Sequence, residues 1–386
     1  MQRFKRFFLT GALLAAAAWP ATGAAARNLA VTPATAPAAA TCAAIPAAGT
    51  GTVPPAIDRI FSDAIARKIS AGFSVAVAQD GKVVFAKGYG ESNFERPDPV
   101  TVDRIFKVGS ITKEFTAAAI LRLAEQGKLS IDDPVAKHLP DFPIRTITIH
   151  ELLNHTSGLR SYTDAEFHLR EGRVKRTMAQ MIAYILAQDG LETFTPGSQY
   201  SYSNSGYYIL GAIIERISGR PYDRFVQDEF LGPLGLTHTS VDLDEAIVPG
   251  RVRGYDAAPD TPLGFLNTSY NSPSGAGPAG AIQSNAADLL CWQQALLGGK
   301  VLTPDSVAQM ARPGKGDYGL GLMTRHTDKG VVSVGHIGAI NGFHAFLFTY
   351  PDRKLTFVIL ANSLRAIYPI QDDFEARLLE AFPSGK

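Results

Sequence analysis

The chain has little cysteine and little net charge, and beyond its N-terminus it has no long apolar run. Two cysteines in 386 residues, with no C-x-x-C and no dense histidine cluster, argue against a disulfide-rich scaffold and against a metal cofactor. A formal charge of +1 predicts no nucleic-acid partner. The absence of G-x-S-x-G argues against an α/β-hydrolase. Apolar residues at 46% and charged residues at 19% are typical of a globular core, and we expect no cofactor.

The N-terminus has the pattern of a secretory signal peptide, which we predict over residues 1–25. Arg3, Lys5 and Arg6 precede an apolar run over 7–19, and small residues follow. A membrane anchor is the alternative, but the run is short for a span of about 20 apolar residues. We therefore expect an exported protein, periplasmic or secreted. Removal of the three cations changes the formal charge from +1 to −2.

Residues 26–55 are rich in Ala, Pro, Thr and Gly and predict a disordered linker, followed by one domain over 56–386. Cys42 lies in this linker and Cys291 in a predicted helix. Whether the two cysteines pair cannot be deduced from these positions, and we expect no function for either.

Within the domain, strand patterns at both ends enclose a helical middle. Helical spacing begins at Ile57, and further helices are predicted over Ile111–Gln126, Ser205–Ser218, Ser284–Leu297 and Asp372–Phe382. Strands are predicted over Phe73–Ala78, Lys82–Lys87, Val331–Val334, His344–Tyr350 and Leu355–Leu360. The expected class is α/β (α+β): an antiparallel sheet built from N- and C-terminal strands, flanked by helices, with an inserted mostly helical region.

A candidate nucleophile stands at the start of the second predicted helix, in Ser110-Ile111-Thr112-Lys113. Residues three apart share a helix face, so Lys113 can reach the Ser110 hydroxyl. A serine needs a base to become nucleophilic, and a desolvated lysine can lose its charge and serve as one. Alone, an S-x-x-K arises often by chance.

Two further segments carry suitable side chains. Tyr202-Ser203-Asn204 precedes a helix; a tyrosine beside a lysine can ionise more easily and shuttle a proton, and the asparagine can hold a carbonyl. Gly335-His336-Ile337-Gly338 is predicted at the end of a strand, where glycine allows close approach and histidine supplies a donor or partial charge. Each segment alone is better explained by packing than by function.

Together, in this order, the three segments resemble those of the serine β-lactamase and penicillin-binding superfamily. Within it, the chain resembles the branch of class C β-lactamases, DD-carboxypeptidases and esterases. Further segments resemble that branch, over residues 149–159, 203–215, 318–321 and 341–343. The resemblance covers roughly Ile57 to Phe382.

The resemblance implies roles for individual residues. Ser110 would be the acylated nucleophile, and Lys113 and Tyr202 would share the general base and acid work. Asn204 would contact the substrate amide. The backbone N–H groups of Ser110 and Ala339 would form the oxyanion hole.

The third segment departs from the usual pattern. His336 takes the place of the lysine found in most β-lactamases, and Gly338 lets the substrate lie near the backbone. Ile337 stands where a hydroxyl residue often helps to bind a carboxylate. We expect His336 to titrate near its ordinary pKa of about 6.5 and free carboxylates to bind weakly.

Two other motifs are rejected. His150-Glu151-Leu152-Leu153-Asn154-His155 nearly matches a zinc-protease motif, but its second histidine is one residue late. Gly275–Gly280 fits G-x-G-x-x-G literally, but Pro278 interrupts it and no βαβ unit surrounds it, so we predict a flexible loop.

The function expected from the sequence is that of an exported serine hydrolase acting on a small-molecule or peptide substrate. It would cleave ester, amide or β-lactam bonds, with esterase activity favoured. The alternatives are a D-Ala-D-Ala carboxypeptidase, a class C-type β-lactamase, or a penicillin-binding sensor that is acylated without turnover. The oligomeric state stays open.

Overall fold

A computed structural model describes residues 46–163, 167, 170–326, 330 and 332–383. The predicted signal peptide, most of the predicted linker and Cys42 lie outside these residues. Cys291 is disulfide-bonded. Among the described residues, every helix is too short or too polar to cross a bilayer.

The strands form one large antiparallel sheet and two small ones. Their bounds are β1 Thr50–Gly51, β2 Gly72–Gln79, β3 Lys82–Asn93, β4 Asp98–Pro99, β5 Phe106–Lys107, β6 Ser240–Val241, β7 Tyr255–Ala257, β8 Phe265–Asn267, β9 Ile282–Ser284, β10 Met323–His326, β11 Val332–Ile340, β12 Phe343–Tyr350 and β13 Leu355–Ala361. The large sheet has the order β1-β3-β2-β13-β12-β11-β10, with β4 paired to β3. N-terminal β2 pairs with C-terminal β13, which confirms the predicted sheet built from both ends.

The α-helices lie between and beside these strands. They are α1 Pro55–Ala66, α2 Thr112–Glu125, α3 Val135–His138, α4 Ile149–Leu153, α5 Met178–Leu186, α6 Asn204–Ser218, α7 Tyr222–Val226, α8 Gly232–Leu234, α9 Pro273–Gly280, α10 Ala286–Leu297, α11 Pro304–Ala311 and α12 Gln371–Ala381. A 3-10 turn over Gly109–Ile111 leads into α2.

The sheet separates two hydrophobic cores because alternate residues of a strand face opposite sides. On β12, Phe346 and Phe348 belong to the core under α1 and α12, whereas Leu347 belongs to the larger core under the helical region. The central strands β12 and β13 are buried along their whole length. The helical region therefore packs on one face of the sheet, and the terminal helices pack on the other.

Several predicted boundaries were wrong. Thr50–Gly51 pairs with β3, so the predicted linker does not extend to residue 55. Asn285, not Ser284, caps α10, because the Asn285 side chain accepts the backbone N–H of Asp288. Gly335–Gly338 lies inside β11 and not at its end.

Gly275–Gly280 is also not the predicted flexible loop. It belongs to α9, which contains a kink at Gly277, where φ is +41° and ψ is −133°. A Cβ on Gly277 would lie 2.7 Å from the Tyr208 ring, so the kink and the close packing both require glycine.

Candidate active site

Ser110 lies on the short turn between β5 and α2 and is half-exposed. The preceding Gly109 has φ +54°, in the left-handed region that favours glycine. A Cβ on Gly109 would lie 2.8 Å from the backbone nitrogen of Ala339. Glycine therefore lets the turn approach strand β11 closely.

Lys113 is fully buried one helical turn after Ser110. Its Nζ lies 3.1 Å from Ser110 Oγ, 2.8 Å from Asn204 Oδ1 and 2.7 Å from the Ala279 carbonyl oxygen. All three partners are uncharged, and burial holds the pKa of Lys113 well below its ordinary value. A neutral amine here can donate to the amide and the carbonyl, and its lone pair is then free to accept the Ser110 proton.

Sequence reasoning missed the carbonyl of Ala279. It reaches Lys113 because α9 is kinked and held to α2, where Thr116 Oγ1 donates to the Pro278 carbonyl at 2.7 Å. The run of glycine and alanine in this segment was the available signal, since small residues permit close backbone approach.

Tyr202 lies against Lys113, with Nζ 4.8 Å from the centre of the tyrosine ring. Burial raises the pKa of Tyr202, and a hydrogen bond with Ser110 opposes this rise only in part. The expectation that Tyr202 ionises easily was therefore wrong for the resting site, because desolvation dominates. Tyr202 is a neutral hydroxyl there, able to pass a proton between neighbours.

Asn204 is the first residue of α6 and has both ends of its amide engaged. Oδ1 accepts from Lys113, and Nδ2 donates to Thr163 Oγ1 at 3.0 Å. Its backbone N–H donates to Ser161 Oγ at 3.1 Å. Sequence reasoning missed Ser161 and Thr163, because loop residues distant in sequence carry no periodic signal.

His336 is buried on β11 and is neutral. Its Nδ1 lies 2.6 Å from the Ile337 carbonyl, so Nδ1 carries the proton, and Nε2 accepts from the Tyr318 hydroxyl at 2.9 Å. Burial and the nearby Lys113 lower the pKa of His336 to about 3. The expected titration near 6.5 was wrong, because desolvation disfavours the imidazolium.

Gly338 and Ala339 bring β11 alongside Ser110. A Cβ on Gly338 would lie 1.8 Å from the Val108 carbonyl oxygen and 3.3 Å from the Ser110 nitrogen, so only glycine fits. Pairing with β10 ends at Gly335, which leaves Ile337 half-buried on a stretch of β11 without a β10 partner in the described residues.

The structure thus brings together all the residues predicted for the site. The nucleophile candidate, its two proton-handling partners and the predicted substrate-binding residues converge from three separate parts of the chain. This arrangement can move a proton from a serine hydroxyl to a neutral lysine and present backbone donors beside that serine.

Comparison with known proteins agrees with this arrangement. The family model described as Beta-lactamase matches residues 57–381. Penicillin-binding protein 4* of Bacillus subtilis is 30% identical over 75% of this chain and 67% of its own length. Protein flp of Staphylococcus aureus is 28% identical over 79% of this chain. The matched part spans 62% of protein flp, so this chain corresponds to about two thirds of these relatives.

Solved structures show the same fold. D-amino acid amidase from Ochrobactrum anthropi has a TM-score of 0.75 at 25% identity, over 84% of this chain and 98% of that chain. D-stereospecific amidohydrolase from Streptomyces has a TM-score of 0.71 at 29% identity, over 86% and 98%. The octameric penicillin-binding protein homologue from Pyrococcus abyssi has a TM-score of 0.75 at 27% identity, over 85% and 77%.

Proposed function

Because the chain belongs to the Beta-lactamase family and is a serine hydrolase, we propose that it cleaves ester and amide bonds through an acyl-enzyme on Ser110. The observation that carries this proposal is the environment of Lys113. Its amine is buried 3.1 Å from Ser110 Oγ and has only uncharged hydrogen-bond partners.

Acylation begins with proton transfer from Ser110 to the neutral Lys113 amine as Ser110 Oγ attacks the substrate carbonyl carbon. The tetrahedral oxyanion accepts hydrogen bonds from the backbone N–H groups of Ser110 and Ala339. Tyr202 relays the proton to the leaving alcohol or amine as the carbon–heteroatom bond breaks. Water then attacks the acyl group, and its proton returns by the same groups to regenerate Ser110.

Asn204 contacts the substrate amide. Its Oδ1 is held by Lys113, and one Nδ2 hydrogen is held by Thr163. The second Nδ2 hydrogen can donate to a substrate carbonyl.

The segment Gly335–Gly338 on β11 favours substrates without a free carboxylate. His336 is neutral because its pKa is about 3, so it supplies no permanent positive charge. Ile337 supplies no hydroxyl, and a carboxylate without partners is costly to bury. Esters and uncharged amides lose nothing by these absences, so we infer that esterase activity exceeds β-lactamase activity.

Hydrolysis of D-amino acid amides is the second candidate. It is favoured by the structural likeness to the D-amino acid amidase and the D-stereospecific amidohydrolase. A primary amide of an amino acid also has no free carboxylate, in agreement with the neutral His336.

One panel of substrates tests these assignments. A nitrophenyl ester, a D- and an L-amino acid amide, a D-Ala-D-Ala peptide and a cephalosporin are compared by kcat/KM on one preparation. We expect the ester or the D-amide to lead. A cephalosporin value near the diffusional range of about 10⁸ M⁻¹s⁻¹, with poor ester turnover, would contradict the interpretation of His336 and Ile337.

The nucleophile is tested separately. A fluorophosphonate probe should label Ser110, and Ser110→Ala should lose both the label and nearly all turnover. Ser157→Ala is the control, since Ser157 is a buried serine of the same helical region. Label on another serine would disprove the assignment, and a single burst of product without further turnover would favour the acylated sensor.

Export belongs to the same proposal and rests on the N-terminal pattern of cations, apolar run and small residues. Expression of the full chain followed by N-terminal mass spectrometry should find a mature end near residue 25 in the periplasm or medium. An intact Met1 end retained with the cells would contradict it.

A further inference from the structure

The segment 149–159, which resembles a family signature, has no part in the chemistry proposed above. Its residue His155 is the second residue after the end of α4 and is 1% exposed. It has φ +60°, a conformation that histidine adopts more readily than most non-glycine residues. His155 lies directly behind Tyr202, with the two ring centres 4.3 Å apart.

His155 accepts two hydrogen bonds from the residues on either side of Tyr202. The carbonyl oxygen of His155 accepts the backbone N–H of Ser201 at 2.9 Å. Its side-chain Nδ1 accepts the backbone N–H of Ser203 at 3.2 Å. One residue therefore holds the chain on both sides of Tyr202.

The second bond determines the protonation of the imidazole. Because Nδ1 accepts, the proton of the neutral ring is on Nε2. Nε2 is buried and has no hydrogen-bond partner among the described residues. The rings of Tyr207 and Tyr318 lie 5.2 and 4.6 Å from the imidazole centre.

An unpaired buried N–H is unfavourable, and packing alone does not require it, since an apolar side chain could occupy the same space. The feature that an apolar side chain could not reproduce is the acceptor at Nδ1. The hydrogen bond from Ser203 to Nδ1 therefore explains why a histidine occupies position 155, and this bond acts on the backbone next to Tyr202.

We propose that His155 is a positioning residue that holds the Tyr202 hydroxyl at Ser110 by accepting the N–H groups of Ser201 and Ser203. The inference rests on the proposed role of Tyr202. His155 does not touch the reacting atoms. It restricts the backbone of residues 201–203 so that the Tyr202 hydroxyl reaches Ser110 without rearrangement.

Two substitutions at position 155 test the role of the Nδ1 acceptor without disturbing the backbone, because asparagine and glycine both tolerate a positive φ. His155→Asn keeps an acceptor oxygen near the position of Nδ1, and His155→Gly removes it. We expect His155→Gly to lower kcat about 100-fold with little change in KM, since a displacement of about 1 Å can cost that much. His155→Asn should recover most of this loss.

Circular dichroism and thermal unfolding verify that each variant is folded. Equal losses of kcat in folded His155→Gly and His155→Asn would overturn the proposal, as would wild-type kcat in His155→Gly. If His155→Gly does not fold, His155→Asn still decides, because a folded Asn variant with a 100-fold lower kcat contradicts the role of the acceptor.

A double-mutant cycle with Tyr202→Phe provides a readout that a purely structural role would not move. Once the Tyr202 hydroxyl is gone, His155→Gly should lose most of its effect on kcat. Full additivity would overturn the inference. If Tyr202→Phe alone keeps full turnover, the proposed function fails at Tyr202, which is distinguishable from failure at His155.

Nitrogen NMR of the wild-type protein tests the tautomer directly. The His155 ring should show an unprotonated Nδ1 and a protonated Nε2, without titration between about pH 5 and 8. A ring protonated at Nδ1 would overturn the hydrogen bond from Ser203 and the proposal with it.

Discussion

Replacement of Glu114 by glutamine should stabilise the protein increasingly as pH rises. Glu114 follows Lys113 on α2 and is fully buried. Its Oε2 accepts from Trp292 Nε1 at 3.0 Å, and its Oε1 has no partner among the described residues. Burial raises the pKa of Glu114 well above its ordinary value of 4.5, against the smaller opposing effect of the Trp292 hydrogen bond.

The sign follows from proton linkage. Above the ordinary pKa, the unfolded chain releases the Glu114 proton while the folded protein keeps it, so the folded state binds more protons. The free energy of unfolding therefore falls as pH rises through the window between the ordinary and the raised folded pKa. The slope is about 1.4 kcal/mol per pH unit, so two pH units inside the window cost about 2.7 kcal/mol.

Glutamine has nearly the same shape as glutamate and cannot ionise. The free energy of unfolding of the variant therefore lacks the pH dependence that Glu114 contributes. Below pH 4.5 the two proteins should have similar stability, because a protonated carboxyl and an amide both keep the acceptor for Trp292. Inside the window, the melting temperature of Glu114→Gln should gain about 2 °C per pH unit over the wild type, because a domain of about 330 residues has an entropy of unfolding of about 0.7 kcal/mol/K.

Urea unfolding followed by circular dichroism across a pH series measures the difference. Glu192→Gln, at an exposed glutamate, is the matched control and should show a flat difference from the wild type. A flat difference for Glu114→Gln as well would refute the reasoning, because it would mean that Glu114 has the same proton affinity in the folded and unfolded states.

The other predictions concern the site. Tyr202→Phe should remain folded but lower kcat roughly 100- to 10,000-fold on ester and amide substrates, and near-full turnover on both would make Tyr202 only a packing residue. Lys113→Ala should be at least as damaging, since it removes the base itself; steady-state kinetics with retained thermal stability would check this. Because the pKa of His336 is about 3, titration of His336 should cause no step in the pH profile of kcat/KM between about pH 5 and 8. A step that is present in the wild type and absent in His336→Gln would contradict this. Ile337→Thr should raise kcat/KM for carboxylate-bearing substrates more than for neutral esters, and equal changes for both would rule out a role of position 337 in recognising a carboxylate.

The sequence alone was sufficient for the fold class and for the chemistry-bearing segments. Period-2 and period-3.6 patterns predicted strands at both ends and helices between them, because these periodicities follow from backbone geometry. The S-x-x-K spacing placed Lys113 within reach of Ser110, because both residues lie within one helical turn, and the structure joins them at 3.1 Å.

Tertiary structure decided the electrostatics and the supporting contacts. Whether Lys113 and His336 are neutral depends on burial and on neighbours from distant segments, which no local pattern encodes. The kink that turns the Ala279 carbonyl toward Lys113 depends on packing of Gly277 against Tyr208, 69 residues away along the chain. The two bonds of His155 around Tyr202 likewise join segments that meet only in the folded chain. Sequence patterns report which residues share a face of one element, whereas desolvation and hydrogen-bond partners arise only when separate elements are packed together.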